Sequence, residues 1–364
     1  MMKQKIAAMI LATSAALGAG ATVTPPADKD NTFKYTDEQF ADIQMLRYKV
    51  EGFDKLTLKQ KTFIYYLQEA ALWGRDILFD QNGRYNLRIR QLLEAVYTDY
   101  SGDRSSDFFQ GLTTYLKRVW FSSGIHHHYG CEKFEPGFSA DLLREAVMQL
   151  PADKLPLSPG QTAPQLCDEL LPVMFDPAVM PMRVNQKDGD DLLLTSACNY
   201  YAPGITQAEA ETFYTQRKAP ADPRPVMMGM NSRLERDEFG QLTERVWRVG
   251  GMYSPALEHI VDNLLKARPY ADTEAQQKVI DLLVEVYRTG DLRTFDEYAI
   301  YWLRDTQSLV DFTCYFTESY GDPLGMKASW EAIVNFKDLA ATERTTKLSD
   351  NAQWFEDHSP VAPQ

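Results

Sequence analysis

The stretch "DFTCYFTESYGDPLG", residues 311–325, decides how the second half of this chain is read. With a period of two, Phe312, Cys314, Phe316, Glu318 and Tyr320 fall on one face, and Asp311, Thr313, Tyr315, Thr317 and Ser319 on the other. Alternation of this kind predicts a strand over 308–320 with one apolar face. The anomaly is Glu318, a carboxylate that continues the apolar stripe. On a regular strand Glu318 and Tyr320 project the same way, about 7 Å apart. Gly321, Asp322 and Pro323 then break the strand, so the pair sits at its end. Two readings stay open there. The strand runs out into solvent with polar residues at its tip, or the carboxylate and phenol face a cleft. In a cleft the first would hold a ligand's ammonium group and the second would donate a hydrogen bond to a developing oxyanion.

Working backwards, residues 224–251 alternate on both sides of Glu238-Phe239-Gly240, which predicts a hairpin. "PALEHIVDNLLKARPY", "TEAQQKVIDLLVEVYRTG" and "LRTFDEYAIYWLRDT" predict helices between hairpin and strand, and a last helix is expected near "MKASWEAIVNFKDLA". The first third reads helical throughout. "TDEQFADIQMLRYKV" carries Phe40, Ile43, Leu46 and Val50 at helical spacing behind Thr36 as a cap, and "TLKQKTFIYYLQEAALWGRDILFDQ" continues the pattern. Three more helices are expected at "NLRIRQLLEAVYTDY", "SSDFFQGLTTYLKRVWFSS" and "SADLLREAVMQL". From "LPADKLPLSPG" to "KAPADPRPV" the period is lost among Pro and Gly, and "NAQWFEDHSPVAPQ" reads as a loop. Helices first, then short strands among helices, make an α+β fold: a helix-rich lobe around a small, mostly antiparallel β-core.

The chain has 364 residues, 44% hydrophobic and 24% charged, the make-up of a globular protein. A net charge of −13 argues against nucleic acid, whose phosphates need a basic surface. "MMKQK", the run "IAAMILATSAALGAG" and the small-residue site "AGA" predict a signal peptide over residues 1–21, a linker over 22–32, and export, with a bacterial periplasm as the destination. No transmembrane segment is expected after its removal. Cys131, Cys167, Cys198 and Cys314 are widely spaced without a CxxC pair, and are expected to be buried free thiols.

The chemistry-bearing motifs are few. Of the five histidines, three are adjacent in "GIHHHYG", where one ion reaches two of them at most, so a solvated or packed polar turn is expected. His259 lies on a predicted amphipathic helix, as a partly buried imidazole. HExxH, HxxEH, GxSxG and Gly-rich phosphate loops are all missing from the sequence.

Several separated blocks nevertheless resemble one family in the right order. "GMNSRLERDEFGQLTERVWRVGGMYSPALEHIVDNLLKA" and "FTESYGDPLGMKASWEAIV" are similar to the dipeptidyl peptidase III family of zinc exopeptidases. "VWFSSGIHHHYGCEKFEPGFS" and "NYYAPGITQAEAE" are similar to its Bacteroidetes-type members. The resemblance spans the chain from about Phe33 onward and implies the lower of two lobes enclosing a cleft. By it, residues 33–338 form the lower-lobe-like domain and 339–364 begin the crossing to a zinc-bearing upper lobe. It implies an oligopeptide substrate that loses dipeptides from its free amino end, with Glu318 as the substrate-binding group that grips the ammonium and Tyr320 as the catalytic phenol. Zinc is the implied cofactor, held in the family by an HExxxH helix and a further Glu, none of which is present in these 364 residues. The expectation is therefore the N-terminal part of a dipeptidyl peptidase, inactive by itself because no residue here generates the attacking hydroxide. The alternative is a non-catalytic peptide-binding or scaffold protein that keeps the lower lobe.

Overall fold

A computed structural model describes residues 33–218 and 221–361; the expected signal peptide and most of the linker lie outside them. Two compact units divide the chain after Val50.

The first unit is not the expected helix but an antiparallel hairpin, β1 (Thr36–Phe40) and β2 (Ile43–Leu46). Ala41 turns the chain with a left-handed φ of 48°, and Phe40 pairs directly with Ile43. The three-residue apolar spacing that imitates a helix turn is thus two facing strand positions joined by a tight turn. The Arg47 guanidinium lies over the Phe33 ring, 5.3 Å from its centre.

The second unit opens with α1 (Leu58–Trp73) and α2 (Arg75–Asn82). The expected continuous helix breaks between them at Gly74, where a Cβ would meet the Trp330 indole at 2.1 Å. Three expected helices follow as α3 (Asn86–Asp99), α4 (Asp107–Ser122) and α5 (Ala140–Met148). The Pro- and Gly-rich middle holds two helices that its composition conceals, α6 (Ala163–Phe175) and α7 (Gln207–Arg217). Both carry a capping box: the Thr162 N–H donates to Gln165 at 2.9 Å, and the Thr206 N–H to Glu209 at 3.0 Å. The hairpin is found as β3 (Ser232–Arg236) and β4 (Leu242–Val246), followed by α8 (Ser254–Ala267), α9 (Glu274–Thr289) and α10 (Leu292–Arg304) as expected.

The strand that opens the sequence reading is β5 (Val310–Glu318). Its partner is a surprise. Where a last helix was expected, β6 (Ser329–Phe336) pairs with β5 antiparallel from Val310↔Phe336 to Glu318↔Ser329. Trp330, Ile333 and Val334 have helical spacing, but their β-branched and aromatic side chains suit a strand, and β5 supplies the ladder. Two helices follow, α11 (Leu339–Asp350), capped by Asp338, and α12 (Ala352–Asp357) in the expected loop; neither has a buried residue. Among the described residues the β structure is therefore three separate two-stranded antiparallel ribbons, the second tied to the Tyr201 segment by a bridge to Leu234. A helix-rich fold with small antiparallel sheets is what the sequence predicts. No helix among the described residues is long and apolar enough to cross a membrane.

Two hydrophobic cores fill the second unit. One gathers α1, α8, α9, β5 and the aromatic side chains of Tyr200, Tyr214, Trp247, Tyr287 and Phe316. The other gathers α3, α4, α5 and α6. Helix α2 joins them, because Ile77 packs into the first and Phe79 into the second.

Candidate functional site

At the end of β5 the ladder slips by one residue: Phe316 pairs with Trp330, but Glu318 pairs with Ser329. This β-bulge inserts one extra residue and turns the alternation over. Glu318 consequently leaves the Phe312–Cys314–Phe316 face, where the sequence pattern puts it, and joins the face of Ser329 and Glu331. The carboxylate at the tip of an apolar stripe is thus resolved: the stripe ends at Phe316. Burial and the neighbouring Glu331 carboxylate both raise Glu318 above the ordinary carboxylate range. Glu331 itself accepts a hydrogen bond from Thr317 Oγ1 at 2.9 Å. It is a functional candidate that sequence reasoning missed, since it lies on the strand mistaken for a helix.

Tyr320 lies two residues beyond the strand and is 71% exposed. Burial raises its phenol above the ordinary value, the Glu318 and Glu331 carboxylates add to the rise, and the Arg183 guanidinium opposes it. Tyr320 and Glu318 therefore share one electrostatic neighbourhood. The reason is not regular strand projection, since the bulge and strand end intervene. Two acidic groups with no cation paired to either among the described residues is an arrangement that attracts an ammonium group, and the exposed phenol beside it is a hydrogen-bond donor.

The turn that carries Tyr320 is fastened from below. Asp322, 2% exposed, accepts the N–H groups of Leu324 at 3.1 Å, Met326 at 2.9 Å and Lys327 at 2.8 Å, and the Tyr201 hydroxyl at 2.9 Å. Lys327, fully buried, donates to Tyr214 Oη at 2.5 Å, Gly229 O at 3.1 Å and Ser232 Oγ at 3.2 Å. Both Tyr214 and Ser232 donate onward to Glu244. Burial lowers Lys327 to about 8, against the pull of Glu244 and Asp322. Gln81 of α2 clamps the far end, donating to Ala328 O and accepting the Trp330 N–H at 2.8 Å.

The histidine cluster forms a turn of its own. His126 is buried with Nε2 2.8 Å from Met180 O, and burial lowers it to about 4. His127 Nδ1 accepts the N–H groups of Tyr129 and Gly130. Of the solvated or packed polar turn expected there, the packed form is found, with His126 buried and His127 and His128 half-buried. His259 is exposed rather than partly buried and stacks on Trp73 with ring centres 3.8 Å apart. The four cysteines are free thiols, but only Cys167 and Cys314 are buried; Cys131 and Cys198 are half-buried.

The residues present do not fit the zinc that the family resemblance implies. Among the described residues, no three His, Cys, Asp or Glu side chains are grouped to hold a metal ion. Cavities of about 430, 620 and 540 Å³ open elsewhere in the second unit, and neither Glu318 nor Tyr320 lines them.

With this geometry in place, the comparisons with known proteins agree on a direction. Residues 227–363 match the sequence profile of peptidase family M49. Dipeptidyl peptidase 3 of Dictyostelium discoideum is 24% identical over 328 residues, which cover 84% of this chain and 45% of that protein. The mouse protein of the same name is 22% identical, covering 83% and 45%. Among solved structures, dipeptidyl peptidase III from Caldithrix abyssi superposes with a TM-score of 0.56 at 19% identity, covering 84% of this chain and 45% of that one. The enzyme from Corallococcus sp. strain EGB gives 0.54 at 16%, covering 86% and 45%. The resemblance to the dipeptidyl peptidase III family is thereby borne out, and the chain spans about 45% of the length of these relatives.

Proposed function

We propose that this chain is the peptide-gripping part of a zinc-dependent dipeptidyl peptidase, in which Glu318, seconded by Glu331, holds the free amino end of an oligopeptide. Tyr320 then lies beside the bound end, where its phenol donates to the oxygen that becomes charged as the peptide bond is attacked. The observation that carries this reading is the bulge-placed pair of carboxylates, on a turn fastened by Asp322 and Lys327, inside the segment matching peptidase family M49. Zinc in the relatives' chemistry polarises a carbonyl and activates water; no residue set here fits it, and no step is assigned to it. Residues 1–364 by themselves are therefore expected to bind peptides without hydrolysing them. The same reading has the protein exported to the periplasm, so N-terminal sequencing of the cell-made product should begin near Thr22.

Isothermal titration with a tetrapeptide tests the grip. The free-amine peptide is expected to bind, and its Nα-acetylated form to bind at least tenfold more weakly. Glu318→Gln should cost about 10- to 100-fold, the worth of a charge-assisted hydrogen bond. Since Glu318 titrates above the ordinary carboxylate range, affinity should fall on acidification earlier than for an exposed Glu, and Glu318→Gln should remove that dependence. Equal affinity for the free and acetylated peptides sinks the assignment. A dipeptidyl-arylamide assay with and without added zinc should show no turnover.

A further inference from the structure

The turn behind Tyr320 borders a cavity to which the proposed peptide grip gives no role. It has a volume of about 620 Å³, and its lining includes Met227, Met228 and Met326 below and Arg217, Lys218 and Arg293 at the rim. Its apolar surface is built on flexible thioethers. Met228 and Met326 are half-buried and rest on the first hydrophobic core, and Met227 is 44% exposed at the rim. Unbranched, polarisable side chains of this kind adapt to the shape of an apolar guest. The volume suits a small organic ligand.

The rim is cationic in a chain whose net charge is −13. Arg293 is engaged by Asp222 at 2.5 Å, and Asp291 and Asp296 also act on it. Arg217 donates to Phe213 O at 3.0 Å and lies over the Phe213 ring, with no carboxylate paired to it among the described residues. The Lys218 ammonium, exposed at the end of α7, has no hydrogen bond or ion pair among the described residues. After Arg293 has been matched by its acidic neighbours, the charge of Arg217 and Lys218 remains uncompensated above an apolar floor. An ammonium on such a rim pairs with one anionic head group while the methionines take an apolar tail.

We infer that this methionine-floored cavity is a binding site for a small amphiphilic monoanion, a carboxylate with an apolar chain. The site is independent of the amino-end grip at Glu318, so it stands or falls separately.

Binding of hexanoate, octanoate and decanoate, below their micellar range, followed by calorimetry on the full chain, tests it. Affinity is expected to rise about two- to fourfold per added methylene, as burial of each group into an apolar site implies. Decanol, uncharged, should bind at least fivefold more weakly than decanoate. Lys218→Glu should weaken decanoate at least fivefold and leave decanol unchanged. Met227→Glu should weaken both, and since both replaced residues are exposed, unfolding midpoints should match the parent chain. Equal affinity for decanol and decanoate, no effect of Lys218→Glu, or no binding of decanoate overturns the assignment.

Discussion

In the turn after β5, Lys327 and Asp322 are sealed from water and every charged atom has hydrogen-bond partners, from Tyr201, Tyr214, Ser232 and backbone groups. In the seam beside α2, Asn86, Ser122, His126 and Arg183 are also buried, yet each keeps one polar atom without a partner among the described residues: Nδ2, Oγ, Nδ1 and Nε respectively. Their other atoms are used. Arg183 donates to Asn82 Oδ1 and His128 O at 3.1 Å each, and Asn82 donates to Ser123 O. A satisfied network in a low-dielectric interior holds one geometry, whereas orphaned groups forfeit hydrogen-bond energy and invite water. The turn that carries the candidate site is therefore the rigid one, and the seam joining the two cores is the yielding one.

The sharpest way to break this contrast is to remove the cation from the rigid turn. Lys327→Met leaves the buried Asp322 and the half-buried Glu244 without the cation that faces both, and is expected to cost about 3–5 kcal/mol in urea unfolding at neutral pH. A pH series gives the sign. Lys327 titrates near 8 when folded and at its ordinary higher value when unfolded, so the unfolded chain binds more protons between those values. Stability of the parent chain should rise by about 3 kcal/mol through that window relative to Lys327→Met. A variant as stable as the parent, with no difference in slope, would show that the network is dispensable.

How much of this was legible in the sequence differs between the two regions for the same reason. The alternation over 311–316 located β5 and its end, because a half-buried strand writes its period directly into residue types. The bulge is not written there: it is a property of pairing, and β6 was concealed by the helical spacing of Trp330, Ile333 and Val334. Glu331 and the flipped face of Glu318 were lost with it. Helices α6 and α7 left a readable signal, the Thr162–Gln165 and Thr206–Glu209 capping boxes, which the surrounding prolines outweighed. The seam was illegible altogether, since the Asn82–Asn86 pair, His126 and Arg183 lie far apart in the chain and are brought together only by the tertiary fold.

Acid should strike the seam. His126 is held neutral by burial, at about 4 when folded, with Arg183 and Lys133 opposing its protonation and Glu132 favouring it. A depressed folded value means that its contribution is complete above the unfolded imidazole range and is lost as pH falls through about 6.5 towards 4. The loss amounts to about 3 kcal/mol. His126→Gln should flatten that part of the stability profile when unfolding is followed between pH 7 and about pH 4.5. An unchanged profile would move the acid-sensitive group elsewhere.

The finest test compares two hydroxyls of the same burial class. The Tyr201 hydroxyl donates to Asp322 at 2.9 Å, while Ser122 Oγ, equally hidden, meets no partner among the described residues. Tyr201→Phe removes one donor from a buried carboxylate that keeps its three backbone donors, so a loss of about 1–2 kcal/mol is expected. Ser122→Ala removes a polar atom that gains nothing from the fold, and its cost is expected within about 0.5 kcal/mol of zero. Thermal unfolding of the two variants side by side distinguishes satisfied from orphaned polarity without disturbing either backbone. If Ser122→Ala costs as much as Tyr201→Phe, an ordered water completes the seam, and the seam is then as firmly specified as the turn.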